Sequence, residues 1–432
     1  MDFLLRSNKQ VGSNALIKFI SEIIGRAASF VLVLLAARQL GEAGFGLYNY
    51  GIALGFVLAQ IADLGLQVLI AREIAVAGQQ ARPLVLKALR LKLMLSLPVA
   101  LLLLIFTTGW SGSLRFSLLA LGMTLLAQTY LEFVAYVFRG QQNLTVEAFI
   151  LTSARLLTAA IGAVVLWFGG GLPGLALSHL VSTGLLVAWS LWLLQQSGWL
   201  ETRSDGSAAP ARRQFFDAAR AYNHLVRQAL PIGVSIFLSI AYTRLAILLL
   251  QHQSGEIAVA RFSAAYRLVE PSQIVPASLL AAAFPAFSHA LHYNPADAKQ
   301  LGIRVSLLLA LLGSGVAVAF WLTAVWLIPL LYGDGFASSI PVLQVLGLSS
   351  LPAFVNYSLT HYLIARGQQL YIGVFTGAML LLHAALSWQL IPVWGEIGPA
   401  LSIIVAESVL FICCLLTLAT TRVGTLASRP FA

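Results

Sequence analysis

The chain has 432 residues, of which 59% are hydrophobic and 10% charged, and its formal net charge is +10. A soluble domain carries about 25% charged residues, and soluble cores stop growing near ~250 to 300 residues, so this composition excludes a water-soluble fold. The positive charge does not indicate nucleic-acid binding, because Lys and Arg are scattered between apolar runs instead of clustered on one face. Cys413 and Cys414 are adjacent, too close for an ordinary disulfide and without metal-ligand spacing. We therefore expect a membrane protein with neither a metal nor a cofactor.

Apolar runs of about 20 or more residues, the length of helix that crosses ~30 Å of hydrocarbon, occur along the whole chain. The first run carries Lys18, Glu22 and Arg26 and is longer and more charged than the apolar region of a signal peptide, so we interpret it as the first span. The pattern predicts an all-α polytopic membrane protein with about 12 transmembrane helices. They are placed near residues 14–37, 46–70, 84–108, 114–137, 144–168, 172–195, 224–250, 258–285, 303–331, 337–364, 369–391 and 397–419.

One long polar segment divides these runs into two sets of six. It contains Gly, Ser, Ala and Pro together with four arginines, Arg203, Arg212, Arg213 and Arg220. We predict an N-terminal six-helix bundle over residues 1–195, a cytoplasmic linker over 196–223 and a C-terminal six-helix bundle over 224–432.

The two sets share short matches in the same order. GEAGFGLY from Gly41 aligns with GEIAVARF from Gly255, and FRGQQNL from Phe138 matches ARGQQLY from Ala365. The matches indicate a duplication, as in many transporters. Because six spans are an even number, the two halves would have the same orientation, with a cleft expected between them.

Lys and Arg concentrate in alternate connections between the spans, and such residues are retained on the cytoplasmic side. Lys299 and Arg366 belong to these basic connections, and Arg38 is the one clear exception. The asymmetry predicts that both termini are cytoplasmic.

Charged residues within the spans are the most informative ones, because each costs roughly 2.5 to 3.5 kcal/mol on insertion scales and usually faces a partner or a water-filled cavity. Lys18, Glu22 and Arg26 recur at i, i+4 and i+8 on one helical face. Guanidinium groups bind phosphate bidentately, so we predict an electropositive site for an anionic ligand, formed by Arg26, Arg267, Arg261, Arg155, Arg244 and Lys18. The candidates for ion coupling, or for pairing with these cations, are Glu22, Asp63, Glu270 and Glu407. The alternative is that the charges only pair to hold helices together or extend to the headgroups.

The stretch ARQLGEAGFGLYNYGIALGFVLAQIADLGLQVLIAREIA, residues 37–75, resembles the opening of Wzx-type polysaccharide flippases. These flippases belong to the multidrug/oligosaccharidyl-lipid/polysaccharide exporter superfamily. The twelve spans, the duplication and the polar linker are similar to that family over nearly the whole chain.

The resemblance implies a V-shaped, MATE-like pair of six-helix bundles in the bacterial inner membrane. It also implies alternating-access translocation of an undecaprenyl-diphosphate-linked oligosaccharide from the cytoplasmic to the periplasmic leaflet, for O-antigen, exopolysaccharide or capsule synthesis. Membrane lipids, a polysaccharide polymerase and other assembly proteins are the implied partners. The related lipid II flippase has arginines on its first and eighth helices, to which Arg26 and Arg267, or Arg261, would correspond. It also has two further C-terminal helices, so another lipid-linked glycan is favoured over lipid II.

Two other functions stay open. A multidrug exporter of the same superfamily would need acidic groups for cationic drugs, which Asp63 and Glu407 could supply. A membrane glycan ligase or polymerase would need a catalytic outer loop, and the outer loops here are short, with Asp334 and Glu396 as carboxylates outside any partner motif. We therefore expect a protein that is not an enzyme.

Overall fold

The computed structural model describes residues 2–200 and 211–420, with side chains over 18–200 and 222–420 except Ser288, His292 and Pro295. Over this part the chain is helical and has no strand, which confirms the predicted all-α class. The helices are α1 (Asp2–Asp63), α2 (Leu66–Ala77), α3 (Arg82–Phe106), α4 (Gly112–Gly140), α5 (Leu144–Trp167), α6 (Gly171–Gln196), α7 (Ala211–Val269), α8 (Ile274–Tyr293), α9 (Pro295–Tyr332), α10 (Ser339–Leu348), α11 (Ser350–Ala365), α12 (Gln369–Trp394) and α13 (Ile397–Thr420).

Ten stretches of the described chain are long and apolar enough to cross a membrane, so the protein is a multi-pass membrane protein. The number is smaller than twelve because the first two predicted spans are continuous in α1, and the seventh and eighth are continuous in the stretch that contains α7 and α8. At 1.5 Å per residue, the 62 residues of α1 would extend ~93 Å if straight. That length is about three times the hydrocarbon thickness, so α1 cannot be one straight span.

Both long helices contain one glycine with non-helical backbone. Gly41 has φ 66° and ψ −176°, and Gly255 has φ 79° and ψ −174°. Only glycine adopts a positive φ at little cost. The two glycines are the positions that the internal repeat aligns, so the repeated sequence corresponds to a repeated backbone conformation.

The chain reverses direction at Gly41. Later residues in the first part of α1 contact later residues in α5, so these two segments are parallel. The second part of α1 is parallel to α4 for the same reason. Because only three residues separate α4 from α5, these two helices are antiparallel neighbours. The two parts of α1 therefore run in opposite directions, as two separate spans. The close approaches are Gly25 with Arg155, Leu32 with Gly162, Gly51 with Leu121 and Gly55 with Gly122.

The chain divides into two compact units, Met1–Ile240 and Ala241–Ala432. In the first unit, the core includes Leu66, Ile70, Phe133, Leu194 and Leu225, from helices α2, α4, α6 and α7. In the second unit, one cluster around Leu280, Phe287 and Phe354 joins α8, α9 and α11, and another around Leu363 and Cys414 joins α11 to α13.

The linker region is partly helical. Helix α6 ends at Gln196 and α7 begins at Ala211, thirteen residues before the predicted span at 224. Residues 201–210, with Arg203, lie outside the described residues, as do 421–432. The boundary between the two units falls within α7, and the bundle limits 1–195 and 224–432 stay predictions.

Candidate functional site

Arg26 belongs to a three-residue charge cluster in the first unit. Its Nε donates to Glu22 Oε1 at 2.9 Å, and Arg155 Nη1 on α5 lies 3.0 Å from Glu22 Oε2. A Cβ on Gly25 would lie 2.9 Å from Arg155 Cδ, so the missing side chain lets Arg155 pack directly against α1. One carboxylate thus serves two guanidinium groups and leaves one positive charge in excess. The Arg26 side chain remains 58% exposed, so its guanidinium is accessible to a ligand.

A second cluster lies along the same pair of helices. The Glu147 carboxylate on α5 is fully buried and accepts from Lys18 Nζ at 3.0 Å and from Arg139 at the end of α4. Here too one carboxylate is shared by two cations. The α1–α5 contact therefore carries two adjacent clusters, each with a single excess positive charge.

Asp63 is paired with Lys92 and is therefore not an isolated acid. Its Oδ1 accepts from Lys92 Nζ at 2.5 Å, and both side chains are fully buried. Lys92 also lies near the aromatic rings of Tyr130 and Phe133, 5.5 and 5.9 Å from their centroids. Asp63 ends α1 beside a break at Leu64 and Gly65, both of which have positive φ. Asp63 is therefore half of a buried ion pair within the first unit.

The second unit holds the other predicted cations. Arg244 on α7 lies 3.6 Å from Glu270, across the turn at Gly255, and Arg261 lies 3.2 Å from Glu396 between α12 and α13. Arg267 is half-buried on α7, one turn before Glu270 and near Tyr332. The structure thus brings Arg244 and Glu270 together. It pairs Arg261 with Glu396, which lies in the connection between α12 and α13 that the sequence predicts to be external.

Glu407 on α13 differs from these carboxylates. It accepts from Tyr242 Oη at 3.0 Å and from Asn356 Nδ2 at 2.8 Å. No Lys or Arg among the described residues lies within ion-pair distance of it. The Asn356 amide oxygen is buried and accepts no hydrogen bond from the described part of the chain. Glu407 is therefore a membrane-embedded acid held by neutral donors.

Sequence reasoning missed three members of these clusters. Lys92 lies within an apolar run and could have been found by the same rule that selected Arg26. Arg139 and Glu147 were not selected because both lie next to the connection between α4 and α5, where charged residues are ordinary. Three histidines within the apolar runs have neighbours that suit packing: His179 faces Tyr48, His361 faces the Tyr357 carbonyl, and His383 faces Ser402.

No metal-binding group is present in the described chain, in that no three His, Cys, Asp or Glu side chains lie together. The arrangement offers instead exposed or half-buried guanidinium groups in membrane-spanning helices. Such groups can bind an anionic headgroup.

Comparison with solved structures shows the fold. A multidrug resistance MATE family transporter of the MOP superfamily, in an inward-facing conformation, has a TM-score of 0.70 at 16% identity, over 96% of this chain and 100% of that one. The lipid II flippase MurJ, in an inward closed conformation, has a TM-score of 0.68 at 13% identity, covering 94% and 88%. A MOP superfamily transporter from Pyrococcus furiosus, described as having a binding pocket of reverse polarity, has a TM-score of 0.63 at 16% identity, covering 97% and 96%. The predicted MATE-like fold is thereby confirmed.

Sequence comparison gives the family. No curated protein sequence matches the chain. The family described as polysaccharide biosynthesis protein matches residues 11–291, which is more than half of the chain and includes the segment 37–75. The chain therefore belongs to the polysaccharide biosynthesis protein family and has the fold of the MOP superfamily.

Proposed function

We propose that the protein is a flippase that moves a polyprenyl-diphosphate-linked oligosaccharide from the cytoplasmic to the periplasmic leaflet of the bacterial inner membrane. The observation that carries this proposal is the excess positive charge at Glu22, Arg26 and Arg155, inside the membrane part of a polysaccharide biosynthesis protein. A diphosphate is the anionic part of such a substrate, and two guanidinium groups around one carboxylate keep the capacity to bind it. Arg26 and Arg267 are the residues proposed to contact the diphosphate.

Alternating access, as in other transporters built from repeated halves, is the proposed mechanism. The diphosphate would bind from the cytoplasm and leave toward the periplasm, while the prenyl tail stays in lipid. Moving roughly two negative charges outward across an interior-negative potential of ~100 mV is favourable by about 4.6 kcal/mol. Both termini are proposed to be cytoplasmic.

The test is a flipping assay with reconstituted protein and a fluorescent polyprenyl-diphosphate glycan. We expect Arg26→Gln and Arg267→Gln to reduce transport at least tenfold, since a charge-assisted hydrogen bond contributes about 1.5 to 3 kcal/mol. Arg38→Gln, an exposed arginine on the same helix as Arg26, is the matched control and should transport normally. Undiminished transport by correctly inserted Arg26→Gln and Arg267→Gln variants would contradict the proposed contacts.

Glu22→Gln separates binding from helix packing. If the cluster only joined α1 to α5, removing Glu22 would be as harmful as removing Arg26. If Arg26 binds the diphosphate, Glu22→Gln keeps both guanidinium groups and should retain transport. Equal losses in the two variants would favour the packing role.

Export of cationic drugs is the second candidate, favoured only by Glu407, which has no cationic partner among the described residues. Drug sensitivity of a deletion strain, together with the distribution of lipid-linked intermediates between the leaflets, separates the two. Intermediates that accumulate on the cytoplasmic face support the flippase. Drug sensitivity with a normal distribution supports the exporter.

A further inference from the structure

The second unit contains a large apolar groove that the proposed transport function does not use. Its volume is about 1290 Å³, larger than the ~300 to 1,000 Å³ of pockets for drug-sized ligands. Helices α9, α11 and α13 form its walls, with Leu307, Val355 and Leu415 among the lining residues. Its polar side chains include Ser306 and Ser358, which hydrogen-bond to each other at 3.0 Å. The groove therefore suits hydrocarbon.

One end of the groove is basic. Gly302 lies against Tyr362 and Gly313 lies against Leu351, so α9 and α11 are antiparallel. The start of α9 and the end of α11 consequently meet at the same end. Two lining residues, Lys299 and Arg366, are there.

No acidic side chain lines the described wall of the groove. Asp297 is two positions before Lys299, which places it on a different face of α9, and it accepts from Asn294 Nδ2 at 2.9 Å. Lys299 and Arg366 are thus the charged residues that line the described wall of the groove, and both are basic. An anionic group is the complement of that end.

The length of the groove matches a single leaflet. The lining residues of α9 extend from Lys299 to Ala310, and those of α13 from Ile404 to Ala419. At 1.5 Å per residue these stretches are ~16 and ~22 Å long. One leaflet with its headgroups is about 20 to 22 Å thick, half of a bilayer of ~40 to 45 Å. An ordinary bilayer lipid therefore fits with its headgroup at Lys299 and its tails toward Ala310.

We propose that this groove binds one anionic glycerophospholipid, with its phosphate at Lys299 and Arg366 and its acyl chains between α9, α11 and α13. Basic pockets between transmembrane helices on the cytoplasmic side are known to recognise such headgroups. The sequence predicts that Lys299 and Arg366 face the cytoplasm, where anionic lipids are concentrated. The lipid is a resident ligand of the second unit, separate from the transported glycan.

The test uses the full-length protein in mixed micelles with equal amounts of phosphatidylglycerol and phosphatidylcholine, followed by native mass spectrometry. We expect the wild type to retain phosphatidylglycerol selectively, at about one molecule per chain. Lys299→Gln and Arg366→Gln should each lower that retention about fivefold, the contribution expected of one basic residue near an anionic headgroup. Lys299→Arg keeps the charge and should retain the lipid.

Variants that fill the groove test whether acyl chains occupy it. Ala310→Phe narrows the groove and should lower retention of phosphatidylglycerol, whereas Leu311→Phe, on the neighbouring 71% exposed residue outside the groove, should not. Thermal unfolding of each variant shows whether it is folded. Equal retention of the two phospholipids, or unchanged retention in all variants, would show that the groove holds bulk bilayer lipid without selectivity. Either result overturns the proposal. Retention of added polyprenyl phosphate in place of phosphatidylglycerol also overturns it, in favour of a site for the substrate tail.

Discussion

Lys92 and Asp63 are two fully buried charges, so each depends on the other. Removing one partner of a buried ion pair leaves an uncompensated charge and costs about 3 to 5 kcal/mol. We expect Lys92→Met to lower the free energy of unfolding by that amount and to lower the Tm measured by tryptophan fluorescence in detergent. The double variant Lys92→Met, Asp63→Leu should recover most of the loss, because an apolar pair of similar size is often as stable. Lys87→Met, on the exposed face of α3, is the control; equal Tm values for the two single variants would contradict the pairing.

Glu407 is the candidate for ion coupling that has no cation beside it in the described chain, whereas Glu22, Asp63 and Glu270 lie within ion-pair distance of Arg or Lys. Glu407→Gln keeps the size and one of the two oxygens that accept from Tyr242 and Asn356. Its amide N–H can donate to the Tyr242 hydroxyl or to the Asn356 amide oxygen, but the variant lacks the group that could exchange a proton. We expect this variant to be folded and to lose the response of transport to an imposed pH gradient. Glu396→Gln, on a carboxylate that pairs with Arg261, should keep that response. A Glu407→Gln variant with a wild-type response would exclude Glu407 as the coupling group.

At the scale of elements, the two positive-φ glycines make testable contributions. No atom lies within 4 Å of a Cβ built on Gly41 or Gly255, so the cost of a substitution there is the backbone conformation alone. An L-residue with a positive φ and a ψ near 180° lies in a region that is essentially restricted to glycine and costs roughly 1 to 3 kcal/mol. Gly41→Ala and Gly255→Ala should each destabilise their unit by this amount. Gly377→Ala is the control, because a Cβ on Gly377 also meets open space but the residue lies inside α12. There, alanine should be neutral or stabilising, by up to ~1 kcal/mol. Equal Tm changes at all three positions would show that the turns are not strained.

The helices themselves could be predicted because apolar length is a property of the sequence. The predicted fifth, sixth, eleventh and twelfth spans agree with α5, α6, α12 and α13 to within a few residues. The ion pairs could not, because α1 and α5 meet only in the folded protein. Arg155 and Glu22 are 133 positions apart, and nothing local in the sequence selects Glu22 over another acid as the partner. The sequence therefore indicated which charges lie in the membrane, while their partners depend on packing.

At the scale of the whole molecule, the positive-inside rule assigns a side to every connection, and cysteine labelling can test that assignment. Cys413 and Cys414 would first be replaced by serine and alanine. Single cysteines would then be placed at four exposed positions: Ser111 and Asp334, predicted to be external, and Gln141 and Ala296, predicted to be cytoplasmic. Each compact unit thus has one probe on each side.

We expect a membrane-impermeant maleimide to label the cysteines at 111 and 334 in intact spheroplasts, and those at 141 and 296 only after permeabilisation. The reason is that six spans per unit return the chain to the side from which it started, so equivalent connections of the two units face the same side. Reversed labelling of all four would invert the topology and place Lys299 and Arg366 at the external leaflet. Opposite results for the two units would mean an odd number of spans between them. In that case the break at Gly255, which lies between the probes of the two units, would not separate two full crossings, and the parallel orientation of the halves would be wrong.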